Sequence, residues 1–307
     1  MLCTLPDHVP TLDEPRWRHR AATHAERVRH TLAGHHDRAR RGVKHPVEDF
    51  LFGYYRTRPA HLHRWSPGHG VALEGDTGDL GHLPLVPVRG GAARVVDPEA
   101  LRPRQDGVRW IAQLLERTAH RPPQLGCFGL HEWAMVHRTS SIRHEQLELR
   151  LSQDEIAAVL ERRGVACTHI GAYRFFTPAA LPLNSRPLTR DRQLDDDQPG
   201  CLHVTMDLYK WATKMTPLTP SELIMDCLDL ATDVRWVDMR ASPYDMSPLP
   251  DPGGEIRTTA AIPIETAAGR AQYVGLQRRF ADRAAPLRAR LREVAADVLA
   301  SLGQKPD

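Results

Sequence analysis

Lysine is nearly missing from this chain, supplying four of its 41 basic residues. An Ala-, Pro- and Arg-rich composition, set by genomic base composition, accounts for arginine elsewhere. The lysines that remain therefore mark places where a compact amine is needed, one that can lose its proton when desolvated or form a Schiff base. Paired cysteines are also missing. Cys3, Cys127, Cys167, Cys201 and Cys227 are scattered, odd in number and without a Cys-x-x-Cys pair, which excludes a disulfide framework and leads to the expectation of a reducing, cytoplasmic setting. No stretch approaches the ~18 apolar residues of a membrane span, and Met1 to His8 lacks a charged segment followed by an apolar one, so no membrane partner is expected. A net charge of +3, with 17 histidines uncounted, gives the whole molecule no polyanion-binding character. There is no internal repeat.

What is present is unevenly distributed. From Arg16 to Lys44 there are nine Lys/Arg against two Asp/Glu, with five histidines interleaved. Residues 1–44 thus read as a basic N-terminal helical arm, a solvated helix that also suits a phosphate backbone. Residues 45–307 read as a single catalytic α/β domain. A helix is expected after Pro46, and Leu83 to Val88 suits a short strand. Val108 to Thr118 reads as a short helix. Leu147 to Leu151 alternates like a strand, Ser152 and Glu155 form a capping box for a helix over 154–163, and Val165 to Phe176 reads as a long strand, compatible with a βαβ unit. A Pro-, Arg- and Asp-rich loop follows over 178–200, then helices over 201–215 and 221–232. Strands are expected at Val234 to Met239 and near Thr258 to Ile264, and a basic helix over 265–302, broken at Pro286, closes the chain. The class is mixed α/β or α+β: a central sheet with flanking helices, and basic helices at both termini.

Four stretches carry candidate chemistry. His203, Asp207, Lys210 and Lys214 recur at i, i+4, i+7 and i+11, one helix face, inside an apolar jacket of Leu202, Val204, Met206, Leu208, Trp211 and Ala212. Charge buried in that way is costly unless paired or used. Asp207 suits a general base, His203 a partner one turn away, and the lysines hold the carboxylate ionised or act as nucleophiles. The second stretch, Gly129 to Arg138, holds His131, Glu132, Trp133 and His137; its i, i+6 histidines do not match the i, i+4 chelate of one zinc-binding helix. Read as a strand, it turns both histidines to one face, and His144 joins from the next connection. The third, Thr168 to Phe176, places His169 and Tyr173 on one strand face and Arg174 on the other. His131, His144 and His169, with His203, are candidates for a divalent iron or zinc site. In the fourth, Arg240 suits a carboxylate or phosphate and Tyr244 suits stacking, after a strand end where α/β folds tend to place ligands. A plain turn explains that stretch equally.

The runs His45-Pro-Val-Glu-Asp-Phe-Leu-Phe-Gly-Tyr-Tyr55, Gly129 to Arg138, Tyr173-Arg-Phe-Phe-Thr177, Gln198-Pro-Gly-Cys-Leu-His203 and Met239-Arg-Ala-Ser-Pro-Tyr-Asp245 resemble those of a bacterial group labelled 3-methyladenine DNA glycosylase. The resemblance implies a hydrolase excising alkylated bases from DNA. No helix-hairpin-helix segment accompanies it, so a different scaffold would do the work. Such chemistry needs a flipped base, an aromatic wall, a carboxylate and phosphate-binding cations, for which Trp133 or Tyr173, Asp207, Arg240 and the basic arm are candidates. The competing expectation is a His-ligated iron or zinc enzyme acting on a small carboxylate-bearing molecule. A third, a non-catalytic binding protein, leaves the His203 to Lys214 stripe unemployed.

Overall fold

The computed structural model describes residues 9–88, 93–142 and 144–303, so Cys3 lies outside the described residues. Strand β1 (Thr11–Leu12) leads into helix α1 (Glu14–Arg40), which Asp13 caps by accepting from Arg16 N at 3.0 Å. Turns from Pro46 lead to the short helix α2 (Phe50–Tyr54). After a 3-10 stretch (Pro59–His63) come β2 (Ala72–Leu73), β3 (Leu85–Pro87) and β4 (Arg94–Val96), with another 3-10 stretch (Gly78–Leu80) between β2 and β3 and a third (Pro98–Arg104) leading from β4 into α3 (Gln105–Ala119). α4 (Leu130–Ala134), α5 (Gln153–Arg163), α6 (Ile170–Tyr173) and α7 (Gln193–Asp196) are short. The long α8 (Leu202–Lys214), α9 (Ser221–Ala241) and α10 (Ala267–Gly303) complete the chain.

The fold is mixed α+β with helices dominant, and α1 and α10 place basic helices near both ends. One sheet in the order β1-β2-β4-β3 is described: β1 runs parallel to β2, and the other pairs are antiparallel, with Leu85 opposite Val96 and Pro87 opposite Arg94. α8 packs along α9, and α10 lies against both and against α3. Part of the apolar core sits there, around Met206, Leu208, Val234, Trp236, Val237 and Phe280.

α1 is docked. Trp17, His24, Val28 and Leu32, spaced to share one face, are buried, and Trp17 Nε1 donates to Glu74 O at 2.9 Å beside β2. Its cations are largely paired with the body: Arg20 with Glu222, Arg27 with Asp226 and Asp229, Arg38 with Glu48 and Asp49. Among the described residues, no helix is long and apolar enough to cross a membrane.

The strands expected in the second half do not form. Residues 234–239 continue α9 as helix. An element buried on every side shows no polar face, so its apolar run reads equally as strand or helix. Residues 130–134 are the helical turn α4, so the shared strand face of His131, Trp133 and His137 does not exist. The span 165–176 makes one parallel bridge, Val165 with Asn184, and then turns into α6. At 147–151 there is only the antiparallel bridge between Leu149 and Tyr244, which also rules out the βαβ unit. Residues 258–264 are irregular, with Ile262 N donating to Arg240 O at 2.8 Å. α10 runs through Pro286 without ending. The Ser152–Glu155 capping box forms as expected.

Candidate functional site

Helices α4, α8 and α9, with the turn before α6, aim polar side chains into the apolar centre. His203, Asp207 and Lys210 share a face of α8, while Met206, Leu208, Tyr209 and Ala212 fill the other faces with core. On α9, Arg235 and Asp238 lie three apart, and both are fully buried. α4 supplies His131 and Glu132. His169 sits immediately before α6, and Gly171 makes room for it: a Cβ there would stand 2.5 Å from His169 Cε1 and 3.0 Å from the Tyr54 hydroxyl oxygen. The Gly171 carbonyl accepts from that hydroxyl at 3.2 Å.

The side chains form a continuous series of contacts. Cys127 Sγ lies 3.4 Å from His131 Nδ1, and His131 Nε2 lies 2.9 Å from Asp238 Oδ1. Asp238 Oδ2 accepts from Arg235 Nη1 at 2.9 Å, and the same nitrogen donates to Glu132 Oε1 at 2.7 Å. The His203 ring stands edge-on to His131 with centroids 4.5 Å apart, and stacks on His169 at 5.4 Å. His169 Nε2 is 3.2 Å from Asp207 Oδ2, which also accepts from Lys210 Nζ at 3.0 Å.

Burial penalises each charge here, and the pairings decide which groups keep theirs. Burial, reinforced by His131 and His169, holds His203 well below the ordinary imidazole range, so it is neutral. Burial also opposes ionisation of Asp207, but Lys210 and His169 outweigh it and hold the carboxyl well below its usual range. At Asp238 the opposition of burial is overcome by His131 and Arg235, and at Glu132 by Arg235. His131 is raised despite burial, by Asp238 and Cys127.

Of the residues singled out from sequence, His131, Glu132, His169, His203, Asp207 and Lys210 come together. His144 joins through Arg235, whose Nη2 lies 2.9 Å from His144 Nε2, and stands against Tyr244 with centroids 5.0 Å apart. Lys214 is exposed and lines a separate cleft with Lys210. Trp133 is fully buried, its indole donating to Ala241 O at 2.8 Å, and so presents no free face for stacking. Tyr173 is buried against Phe176, and Arg174 is exposed over the Phe175 ring. Arg240 clamps the carbonyls of Glu255, Ile256 and Ala260. Sequence reasoning missed Arg235 and passed over Asp238 and Cys127. The i, i+3 spacing of Arg235 and Asp238 and the i, i+4 spacing of Cys127 and His131 were the available signals, legible only once 234–239 is helical and a turn leads from Cys127 into α4.

One arrangement stands out for its unmet valences. Ligand atoms of His131, His203 and Asp238 all lie within 4.8 Å of one another, and all three residues are buried. Each also carries a buried atom without a hydrogen-bond partner: His131 Nε2, His203 Nδ1 and Asp238 Oδ1. Two of these atoms, His131 Nε2 and Asp238 Oδ1, meet each other at ion-pair distance, 2.9 Å. Buried polar atoms are ordinarily satisfied, and an ion held between these three side chains would satisfy them. Two imidazoles and one carboxylate are a donor set that iron(II) and zinc both accept. The surroundings suit it too: Arg235 holds the other Asp238 oxygen, and Cys127 faces the other His131 nitrogen. This set keeps His131 and His203 of the four histidines expected from sequence and has Asp238 where His144 and His169 were expected. No family model, curated protein or solved structure matches the chain.

Proposed function

We propose that the protein is a metal-dependent enzyme acting on a small anionic molecule, with His131, His203 and Asp238 holding a divalent iron or zinc ion. The observation that carries this reading is the meeting of three buried side chains from α4, α8 and α9 whose ligand atoms lie within 4.8 Å of one another. A bound ion would supply Lewis acidity. The rest falls to the chain's own groups. Asp207 is the proton acceptor: its Oδ2 is occupied by His169 and Lys210, while Oδ1, also buried, has no hydrogen-bond partner and is the oxygen left to take a proton. Neutral His203 stands between the two halves of the site and offers a lone pair. Lys210, partly exposed, is the group through which an anionic substrate meets Asp207.

Metal analysis of the purified protein tests this. The expected result is one iron or zinc ion per chain, lost in His131→Ala and in Asp238→Asn but retained in Lys214→Ala, with folding checked by circular dichroism. A folded wild-type chain that takes up no stoichiometric metal after supplementation would sink the proposal.

A second reading, excision of alkylated bases, is favoured by the sequence resemblance and by Asp207, which His169 and Lys210 keep ionised inside the protein. In it Asp207 activates water and Lys210 is the amine placed to capture an opened sugar. Release of free base from alkylated duplex DNA, abolished by Asp207→Asn and insensitive to metal removal, distinguishes it from the first.

A further inference from the structure

Beside Lys210 the surface opens into a cleft of about 350 Å³. Among the described residues, six cationic side chains line it, Arg56, Arg58, Arg64, Arg104, Lys210 and Lys214, and no carboxylate does. They come from three separated parts of the chain: the turn after α2 with the 3-10 stretch behind it, the start of α3, and the C-terminal end of α8. Most arginines in this protein sit against an acid, as along α1. Among the described residues, no carboxylate lies within ion-pair distance of Arg56, Arg58, Arg64 or Lys214. Like charges gathered in one concavity repel, and an arrangement of this kind is stabilised by an anion between them.

The cleft is also anchored. Arg104 donates to Lys214 O at 3.1 Å and to Thr216 O at 3.0 Å, fixing the end of α8 against α3. Arg56 is held at φ 53°, a left-handed conformation uncommon outside glycine and frequent where ligands are clamped. Lys210 forms the inner wall, and its ammonium is bonded to Asp207.

We propose that this cleft binds the phosphate group of a small phosphate-bearing molecule. Four cations without internal partners exceed what one carboxylate neutralises, whereas a phosphate monoester brings up to two charges and three acceptor oxygens, which arginine forks grip in pairs. The volume is that of a small-molecule pocket rather than a nucleic-acid groove. Assigning the phosphate as the handle of the substrate rests on the metal-enzyme reading; the anion site itself does not.

Titration calorimetry at fixed ionic strength tests the proposal, with pyrophosphate, ribose 5-phosphate, malonate and a 5′-phosphorylated DNA oligonucleotide as probes. Pyrophosphate and ribose 5-phosphate are expected to bind, malonate at least about tenfold more weakly, and the oligonucleotide no better than ribose 5-phosphate. Arg64→Ala and Lys214→Ala, both at exposed positions, are each expected to weaken phosphate binding about tenfold or more, the worth of one charge-assisted hydrogen bond. Their metal content should be unchanged. His131→Ala should lose its metal yet bind phosphate as wild type does, whereas a wild-type chain that binds phosphate but takes up no metal would overturn the metal-enzyme reading and leave the anion site standing. Absence of phosphate binding, equal binding by the two variants and wild type, preference for malonate, or markedly tighter binding of the oligonucleotide would each overturn the proposal.

Discussion

Arg235 Nη1 stands 2.7 Å from Glu132 Oε1, with both side chains sealed from solvent. The guanidinium is spread over further partners: Asp238 Oδ2 at 2.9 Å, His144 Nε2 at 2.9 Å, and the Phe50 ring, whose centroid lies 3.8 Å from Cζ. Taking these charges out of water is expensive, and what makes it tolerable is that Nη1 answers two carboxylates while Nη2 meets His144. By occupying Oδ2 of Asp238, Arg235 also leaves Oδ1 for the point shared with His131 and His203.

Arg235→Met is therefore expected to destabilise the fold by about 3–5 kcal/mol, because it strands two buried carboxylates. Arg235→Lys should recover only part of that, since a single ammonium cannot also meet His144 as Nη2 does. Urea unfolding followed by circular dichroism measures both. A loss under about 1 kcal/mol in the methionine variant would contradict the account, since that is the scale of an exposed ion pair.

Gly171 makes a second prediction. With a Cβ at that position only 2.5 Å from His169 Cε1, Gly171→Ala must displace the imidazole or the α6 turn. Overpacking of this kind costs about 1–3 kcal/mol. The loss of the His169 contact with Asp207 should appear as a shift of the His169 ring nitrogens in an imidazole nitrogen NMR spectrum. An unchanged His169 signal in the alanine variant would mean that the turn yields instead.

Much of the candidate site was legible because α8 is amphipathic in an unusual sense. Its polar stripe is narrow and its remaining faces are apolar, so the spacing of His203, Asp207 and Lys210 was readable as one face of a buried helix. The partner helix α9 hid its role. Val234, Trp236, Val237 and Met239 are all fully buried, and a run so apolar carries no period by which to separate strand from helix. Once read as a strand, Arg235 and Asp238 fall on opposite faces, and their shared site disappears. His131 and Glu132 were misplaced for the same reason, since a single helical turn is too short to establish a period. The small sheet was partly legible in Leu83 to Val88, whereas the two-residue strands depend on tertiary pairing that no local pattern encodes.

The docking of α1 separates two kinds of surface residue. Trp17 is 1% exposed, bonded to Glu74 O and stacked on Trp65 with centroids 6.4 Å apart. Trp17→Ala is expected to cost about 3–5 kcal/mol, the range of large core truncations. Arg29, paired only with its exposed helical neighbour Glu26, should cost less than about 1 kcal/mol as Arg29→Ala. Thermal melts of the two variants check the contrast. Equal, small effects would describe a loosely attached helix, contrary to the packing.

Asp197 carries the last prediction, a dependence of stability on pH. It is buried, its Oδ2 accepts from Gln193 Nε2 at 2.9 Å, and its Oδ1 has no partner. Burial pushes its pKa from 3.8 up to about 6, partly offset by His169 and Gln193. Between about pH 4 and pH 6 the folded chain therefore keeps a proton that the unfolded chain has released. The unfolded state binds fewer protons in that window, so stability falls as pH rises, by roughly 1.4 kcal/mol per unit and on the order of 3 kcal/mol in all. Asp197→Asn stays neutral throughout and keeps the acceptor for Gln193. It should match wild type near pH 4 and exceed it above about pH 6, by up to roughly 3 kcal/mol. Chemical denaturation at successive pH values gives the difference curve directly, and a variant whose stability runs parallel to wild type across the whole range would show that Asp197 ionises normally in the folded protein.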